Sequence, residues 1–481
     1  MRGLIWSMVM GLVCVLALAG TVWATGYTSA GSGNWGADAT WNEAGYPDDN
    51  TDTASIATGQ NVQSKDAGGT GLDIPALAAG GITINGQLTL TASQSNANSV
   101  TLSAGTLYSS NALTHTGNWA LDFTTGTLYF TANSNSHSTF SNGTCTINPG
   151  TTYFTVNSGG YGRGVYNGDL SGSGTISVNK SLNGGPMDLG GNNTAFAGQY
   201  QVNSGAGLRF TGGASLGSPS KITLDGGYIA TMMSGGLTLS VPLDIDTGGG
   251  HVMHTERNLG NELTTSSTIT ALGAGARDLT FSAGDDGRVT YQYVDSLVSG
   301  PFNVNLRGYW RGASRVYLRN ASNSFNELDV QLDQTSNHNN GTNRLYVTDV
   351  GAMGGAPVTV RNNSTNSAGA NGRFVLRDAA GMGDWNHPNS LTLEDSTYDL
   401  MVLYDGLDNL SVTALTLGGV AIDDGLYTIS TDAPNGITLS DWFDVDDPAD
   451  TITVGAGLVI PEPAGLGLLG LALLGLRKRR R

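Results

Sequence analysis

The sequence is short of cysteine, charge, proline and large aromatic residues. Of 481 residues only two are cysteine, Cys14 and Cys145. Cys14 lies in an apolar leader, so the body of the chain keeps Cys145 alone and no intramolecular disulfide scaffold can form. Stability must then come from backbone ladders and stacking. Charged residues make up 13%, near half the usual quarter. The 13 prolines and the lack of a three-residue glycine period exclude collagen. The lack of Lys- and Glu-bearing heptads excludes a coiled coil. Eight Trp and 11 Phe are few for stacked antiparallel sandwiches, the rival all-β architecture. What abounds is Gly, at 71 residues about twice its usual share, with Asn, Thr and Ser between short aliphatic runs. A 39% hydrophobic content is too high for simple disorder. The expectation is an extended all-β chain.

An apolar-Thr-apolar triplet recurs along the chain. It stands at Ile82-Thr83-Ile84, Leu88-Thr89-Leu90, Val100-Thr101-Leu102, Ile222-Thr223-Leu224, Leu237-Thr238-Leu239, Val358-Thr359-Val360, Leu391-Thr392-Leu393, Leu415-Thr416-Leu417, Ile437-Thr438-Leu439 and Ile452-Thr453-Val454. Alternate side chains of a strand face opposite ways, so the flanking residues point to a core and Thr points out. A longer unit aligns three times. Leu208, Leu345 and Phe374 each precede an apolar-Gly pair by eight residues, at Leu216-Gly217, Met353-Gly354 and Met382-Gly383. The glycine suits a left-handed turn. Upstream of two units stand Asn-rich turns with an aromatic, Asn192-Asn193-Thr194-Ala195-Phe196 and Asn320-Ala321-Ser322-Asn323-Ser324-Phe325. Asparagine recurring at an inward turn is expected to form a ladder of side-chain amides.

This combined unit resembles the autotransporter-associated β-strand repeat of bacterial surface proteins. The resemblance implies a right-handed parallel β-helix. A solenoid fits the composition, because each coil buries a few aliphatic side chains and needs its neighbours to stand. The expected organisation is a β-solenoid over 61–440, closed by 441–460. Residues 25–60 are expected to form an N-terminal cap, with Trp35 and Trp41 covering the open end. The functional reading of the same tryptophans is sugar stacking.

The two ends read as addresses. Residues 1–24 have a basic start at Arg2, an apolar run and small residues before a cut after Ala24, as in a secretory signal peptide. At the other end stand Pro461-Glu462-Pro463, then an apolar run over 464–476, then Arg477-Lys478-Arg479-Arg480-Arg481. As a short helix this run spans roughly 20 Å, less than a hydrocarbon core of ~30 Å. The basic end can hold it at the cytoplasmic face. The arrangement resembles the PEP-CTERM sorting signal of Gram-negative bacteria. The resemblance implies that the 461–481 tail anchors transiently in the inner membrane. There a membrane-embedded exosortase, the processing partner, recognises Pro461, Glu462 and Pro463. It cleaves the tail on the way to the cell surface, outer membrane or extracellular matrix. Without both ends, 16 basic residues face 38 acidic ones. Such a surface repels nucleic acid, which is a poor partner.

Signals for chemistry are sparse. Of the six histidines only His251 and His254 are close, and strand geometry puts them on opposite sides, so exposed loop histidines are expected rather than a metal site. Asp441, Asp444, Asp446, Asp447 and Asp450 fall within ten residues. Asp444, Asp446 and Asp447 are candidate Ca²⁺ ligands, beside the plainer reading of a solvated acidic face. No other cofactor is implied. Arg307, Arg311, Arg315 and Arg319 step by four, with Tyr309, Trp310 and Tyr317 between them. A step of four keeps one strand face, so the set can bind exopolysaccharide or other surface glycans by charge and stacking. The alternative is surface ion pairing with Asp329 and Asp333. The function expected is a structural or adhesive surface or matrix protein, not an enzyme. The alternatives are a carbohydrate-binding surface protein and a polysaccharide lyase or hydrolase on a β-helix, although no nucleophile elbow or paired-carboxylate signature is present.

Overall fold

The computed structural model describes residues 25–455, except 78–80, 111, 134–135, 159–161, 182–184, 232–235, 255–261, 285–288, 309–312, 333–342, 363–371 and 395–400. The expected signal peptide and sorting tail, with Pro461, Glu462 and Pro463, lie outside the described residues. The chain is all-β, about 4% helical, with about 13 turns of β-solenoid in two compact units, Met1–Leu279 and Thr280–Arg481.

In the first unit each coil contributes strands to several parallel sheets. One coil runs through Trp119–Phe123, Gly126–Ala132 and His137–Phe140, and the next through Gly143–Ile147, Thr151–Ser158 and Arg163–Tyr166. Trp119 pairs with Gly143, Thr127 with Tyr153, and Thr139 with Val165, so corresponding residues lie 24 to 26 positions apart. Coil length varies along the unit, but in-register pairing still brings like beside like. Ile56, Ile84, Leu102, Phe123 and Ile147 form one inward column, each fully buried. The neighbouring column is Ala54, Ile82, Val100, Leu121, Cys145 and Leu170. Burying each large aliphatic side chain stabilises the fold by about 1.5–3 kcal/mol. Cys145 sits between Leu121 and Leu170, and burial pushes its thiol far above the usual range, so it is an inert core residue.

The segment 25–60 itself supplies rungs, since Gly26–Thr28 pairs with Thr53–Ile56. Trp35 and Trp41 pack edge to face with centroids 5.1 Å apart. Trp35 Nε1 donates to the Pro47 carbonyl at 3.0 Å, and Trp41 Nε1 to the Trp35 carbonyl at 2.8 Å. Both rings are buried, so neither offers a face to a sugar.

The second unit has two parallel sheets. Phe302–Gly308, Glu327–Gln331, Val358–Arg361, Asp384–Leu393 and Asn409–Leu417 follow one another in the first. Val289–Val294, Ala313–Leu318, Arg344–Val347, Arg373–Arg377, Val402–Asp405 and Phe443–Asp444 form the second. Val316, Leu345, Phe374 and Val402 stack inward in register, as do Leu318, Val347, Leu376 and Tyr404. The parallel ladders exclude the antiparallel sandwich. Beyond isolated bridges such as Ser29 to Trp41, antiparallel strand pairing among the described residues enters late: Val420–Ile422 folds back on Asn409–Leu417, and Gly425–Thr428 runs against Thr451–Val454.

Most of the Thr triplets are strands with both flanks buried and Thr turned outward, as in Ile82–Ile84. Ile437-Thr438-Leu439 is not one, because a 3-10 turn at Pro434–Gly436 and a second at Leu439–Asp441 take up that stretch. Gly217, Gly354 and Gly383 have φ of 77°, 71° and 73°, the left-handed turns expected. A side chain on Gly354 would also strike the Phe325 ring at 2.8 Å. The asparagine ladder takes another form. Asn193 Oδ1 accepts from Leu170 N, one coil before, and its Nδ2 donates to the Ser215 carbonyl, one coil after. Asn323 does the same between Val298 N and the Ala352 carbonyl. Each amide satisfies the backbone of two coils rather than another amide. Histidine also departs from expectation: His115, His254 and His387 are buried, because strand alternation turns them inward.

Candidate functional site

One outward face of the second unit gathers rings and cations. The strand Val289–Val294 reads Val-Thr-Tyr-Gln-Tyr-Val, so alternation sends Thr290, Gln292 and Val294 inward and Tyr291 and Tyr293 outward. Ala313–Leu318, Arg344–Val347 and Arg373–Arg377 follow in register. Tyr291 stands opposite Arg315, Arg315 opposite Arg344, and Arg344 opposite Arg373. Two residues further along, Tyr293, Tyr317 and Tyr346 stand opposite one another, with Val375 next. The face is thus two parallel tracks, one of arginine and one of tyrosine.

The rings form a continuous stack. Tyr293 and Tyr317 lie 4.9 Å apart, and Tyr317 and Tyr346 lie 4.1 Å apart with planes 8° from parallel. Tyr291 joins on the same strand at 6.4 Å. Tyr291, Tyr293 and Tyr317 are half-buried and Tyr346 is buried. Burial, followed by the neighbouring Tyr346, holds the Tyr317 phenol protonated well above the usual range, while Arg315 pulls the other way. Arg319 lies over the Tyr293 ring at 4.2 Å and grips Asp295 bidentately, at 2.6 and 2.8 Å. Arg373 reaches Asp444 at 4.0 Å, and Arg377 reaches Asp405 at 3.3 Å. Among the described residues the buried Nε of Arg344 has no hydrogen-bond partner.

The sequence-derived candidates divide at this face. Arg315, Tyr317 and Arg319 belong to it. Arg307 does not. It is exposed near the end of Phe302–Gly308, in the other sheet, so the step of four does not lie on a single strand. Tyr309, Trp310 and Arg311 lie outside the described residues, as does Asp333. The ion pairs also differ from expectation: Arg319 takes Asp295, and Asp329 is taken by Arg361 at 3.2 Å. Tyr291, Tyr293, Tyr346, Arg344 and Arg373 were not singled out by local spacing. A longer period shows them. Arg315-Val316-Tyr317-Leu318, Arg344-Leu345-Tyr346-Val347 and Arg373-Phe374-Val375-Leu376 recur at steps of 29.

No family model matches the chain, and neither does any curated protein or solved structure. The site is therefore read from its own groups.

The Ca²⁺ candidates are not gathered. Asp444 faces Arg373, Asp446 Oδ2 accepts from Gly406 N, and Asp447 Oδ1 accepts from Ala449 N. Among the described residues the one carboxylate group close enough to hold a metal is Asp48, Asp49 and Asp52. There Asp52 accepts from the amides of Asp48 and Asp49, and Asp49 from Thr51, which accounts for the cluster as a turn.

Proposed function

We propose that this chain is an exported structural and adhesive component of a Gram-negative cell surface or extracellular matrix, with the tyrosine–arginine face as its contact surface for glycans. The observation that carries this reading is the ring stack flanked by an arginine column on a packed parallel ladder. Tyrosine offers flat area at low conformational cost, and arginine offers forked donors. The acids bordering the face, Asp295, Asp405 and Asp444, are each beside an arginine, an arrangement suited to holding a polymer rather than cleaving it. The export half of the reading draws on the ends of the sequence: the leader over 1–24 and the sorting-signal resemblance over 461–481. The right-handed autotransporter-type repeat is part of the same reading.

Fractionation tests it. In a Gram-negative host carrying an exosortase, the chain is expected at the surface or in the matrix, shortened at both ends by mass spectrometry. Replacing Pro461, Glu462 and Pro463 together by Ala is expected to leave a longer form in the inner membrane. Recovery of the full-length wild type from the cytoplasm would overturn the proposal.

A further inference from the structure

The tyrosine track holds two rings placed for a bond between them. Tyr317 and Tyr346 stand opposite each other on Ala313–Leu318 and Arg344–Val347. Neighbours in register on parallel strands leave the sheet on the same side and in the same direction. The rings accordingly stack at 4.1 Å with planes 8° from parallel, and the hydroxyls of Tyr317 and Tyr346 are hydrogen-bonded to each other. With hydroxyl beside hydroxyl, the ortho carbons of one ring lie against those of the other. The other stacked tyrosines are less closely matched. Tyr293 and Tyr317 lie 4.9 Å apart with planes at 31°, and Tyr108 and Tyr129 lie 4.9 Å apart at 13°. Tyr317 is half-buried, so an oxidant in solvent reaches it, whereas Tyr346 is buried and Val375 ends the stack beyond it. The described residues hold one cysteine, Cys145, buried in the first unit, so no disulfide among them joins one coil to the next.

We propose that Tyr317 and Tyr346 are an oxidative modification site, joined ortho carbon to ortho carbon as dityrosine by a haem peroxidase with hydrogen peroxide. Tyr317 gives one electron to the peroxidase and its phenol proton to water. Tyr346 then passes a hydrogen atom along the hydrogen bond to the Tyr317 oxygen, which moves the radical inward. A second oxidation of Tyr317 leaves one radical on each ring. The two pair as a carbon–carbon bond, and the hydrogens on the joined carbons pass through solvent to the two oxygens, restoring both phenols. Two tyrosines and one peroxide give one dityrosine and two waters. The bond joins residues 29 positions apart on adjacent coils, so it restricts the unfolded chain as a disulfide does elsewhere. This assignment does not depend on the glycan-holding role above.

Treating the purified full chain with a plant haem peroxidase and hydrogen peroxide tests the site. The wild type is expected to gain the blue fluorescence of dityrosine and to lose the mass of two hydrogen atoms while staying a monomer. After trypsin, peptide 316–319 is expected to be joined to peptide 345–361. Tyr346→Phe keeps the ring and is expected to lose the joined peptide, whereas Tyr293→Phe is expected to retain it. If Tyr346→Phe melts well below wild type, Tyr317→Phe provides the same reading. The joined chain is expected to melt roughly 5 °C above the untreated one. No joined peptide under conditions that couple free tyrosine would overturn the site. So would a link from 289–307 to 316–319 in its place, or links only between molecules. A joined chain that melts as the untreated one does would overturn the stapling role.

Discussion

The two units arrange arginines on neighbouring strands differently. In the first unit, Asp188 and Arg209 stand opposite each other, and Arg163 approaches the same carboxylate at 3.7 Å. Arg209 donates to both Asp188 oxygens, through Nε at 2.8 Å and through Nη2. Both side chains of that pair are less than 10% exposed. In the second unit three arginines, Arg315, Arg344 and Arg373, stand opposite one another on successive strands, and Arg373 reaches Asp444 at 4.0 Å. Tyrosines follow the same division. Tyr108 and Tyr129 stand opposite each other and stack at 4.9 Å in the first unit, but the column continues on either side with Thr89 and Thr155. A stacked tyrosine pair is thus a general product of a regular ladder. An arginine column beside it is not, and that contrast sets the tyrosine–arginine face of the second unit apart from ordinary surface packing.

The largest expected effect comes from breaking the first arrangement. Asp188→Ala leaves Arg209 buried without its counter-charge and is expected to cost about 3–5 kcal/mol in urea unfolding. A loss under about 1 kcal/mol would mean that Arg209 reaches water as freely as the surface arginines do. Next comes acid. Burial lowers the pKa of His115 to about 4, with Asp73 opposing, and the ring accepts from Gln94 N and bonds Ser109 Oγ. A histidine held neutral in the fold stabilises fully above its unfolded pKa of about 6.5. That contribution is lost as pH falls from there toward 4. About 3 kcal/mol is expected to disappear across this window, and His115→Gln is expected to flatten the corresponding part of the stability–pH curve. An unchanged slope in the variant would show that carboxylates alone drive the acid response.

A device that the units share comes third. Asn193→Ala and Asn323→Ala each orphan a buried backbone N–H, at Leu170 and Val298, and each is expected to cost about 1–3 kcal/mol. Unequal losses would show that one coil repacks or admits water where the other does not. The smallest effect is expected at the edge of the tyrosine–arginine face. Arg319→Gln removes an ion pair whose side chains are each 37% exposed, so stability is expected to shift by no more than about 1 kcal/mol. Thermal melts of the variant beside wild type measure it, and a larger loss would make Arg319 a structural clamp on Tyr293.

Local alternation made the solenoid readable. Triplets such as Val100-Thr101-Leu102 state which side is core, and the eight-residue step to the apolar-Gly pairs ending in Gly217, Gly354 and Gly383 states where the chain must turn left-handed. What lies opposite what across coils depends on coil length, and coil length is set by loops whose sequences carry no period. The step of four from Arg307 to Arg319 therefore suggested one strand where the chain has two. The step of 29 from Arg315 to Arg344 to Arg373 is the true neighbour relation, legible only once the coil length is known. Buried histidines escaped for a related reason. A polar residue at an inward position is recognisable only with its partner, and the partner of His387 is the Ala356 carbonyl, 31 residues away.

The reversed strand Gly425–Thr428 has a consequence for assembly. It is the terminal member of its sheet and runs against its neighbour Thr451–Val454. A second copy arriving there to prolong the same ladder would meet a backbone pointing the wrong way. Growth of a continuous parallel ladder through that edge is therefore discouraged by geometry.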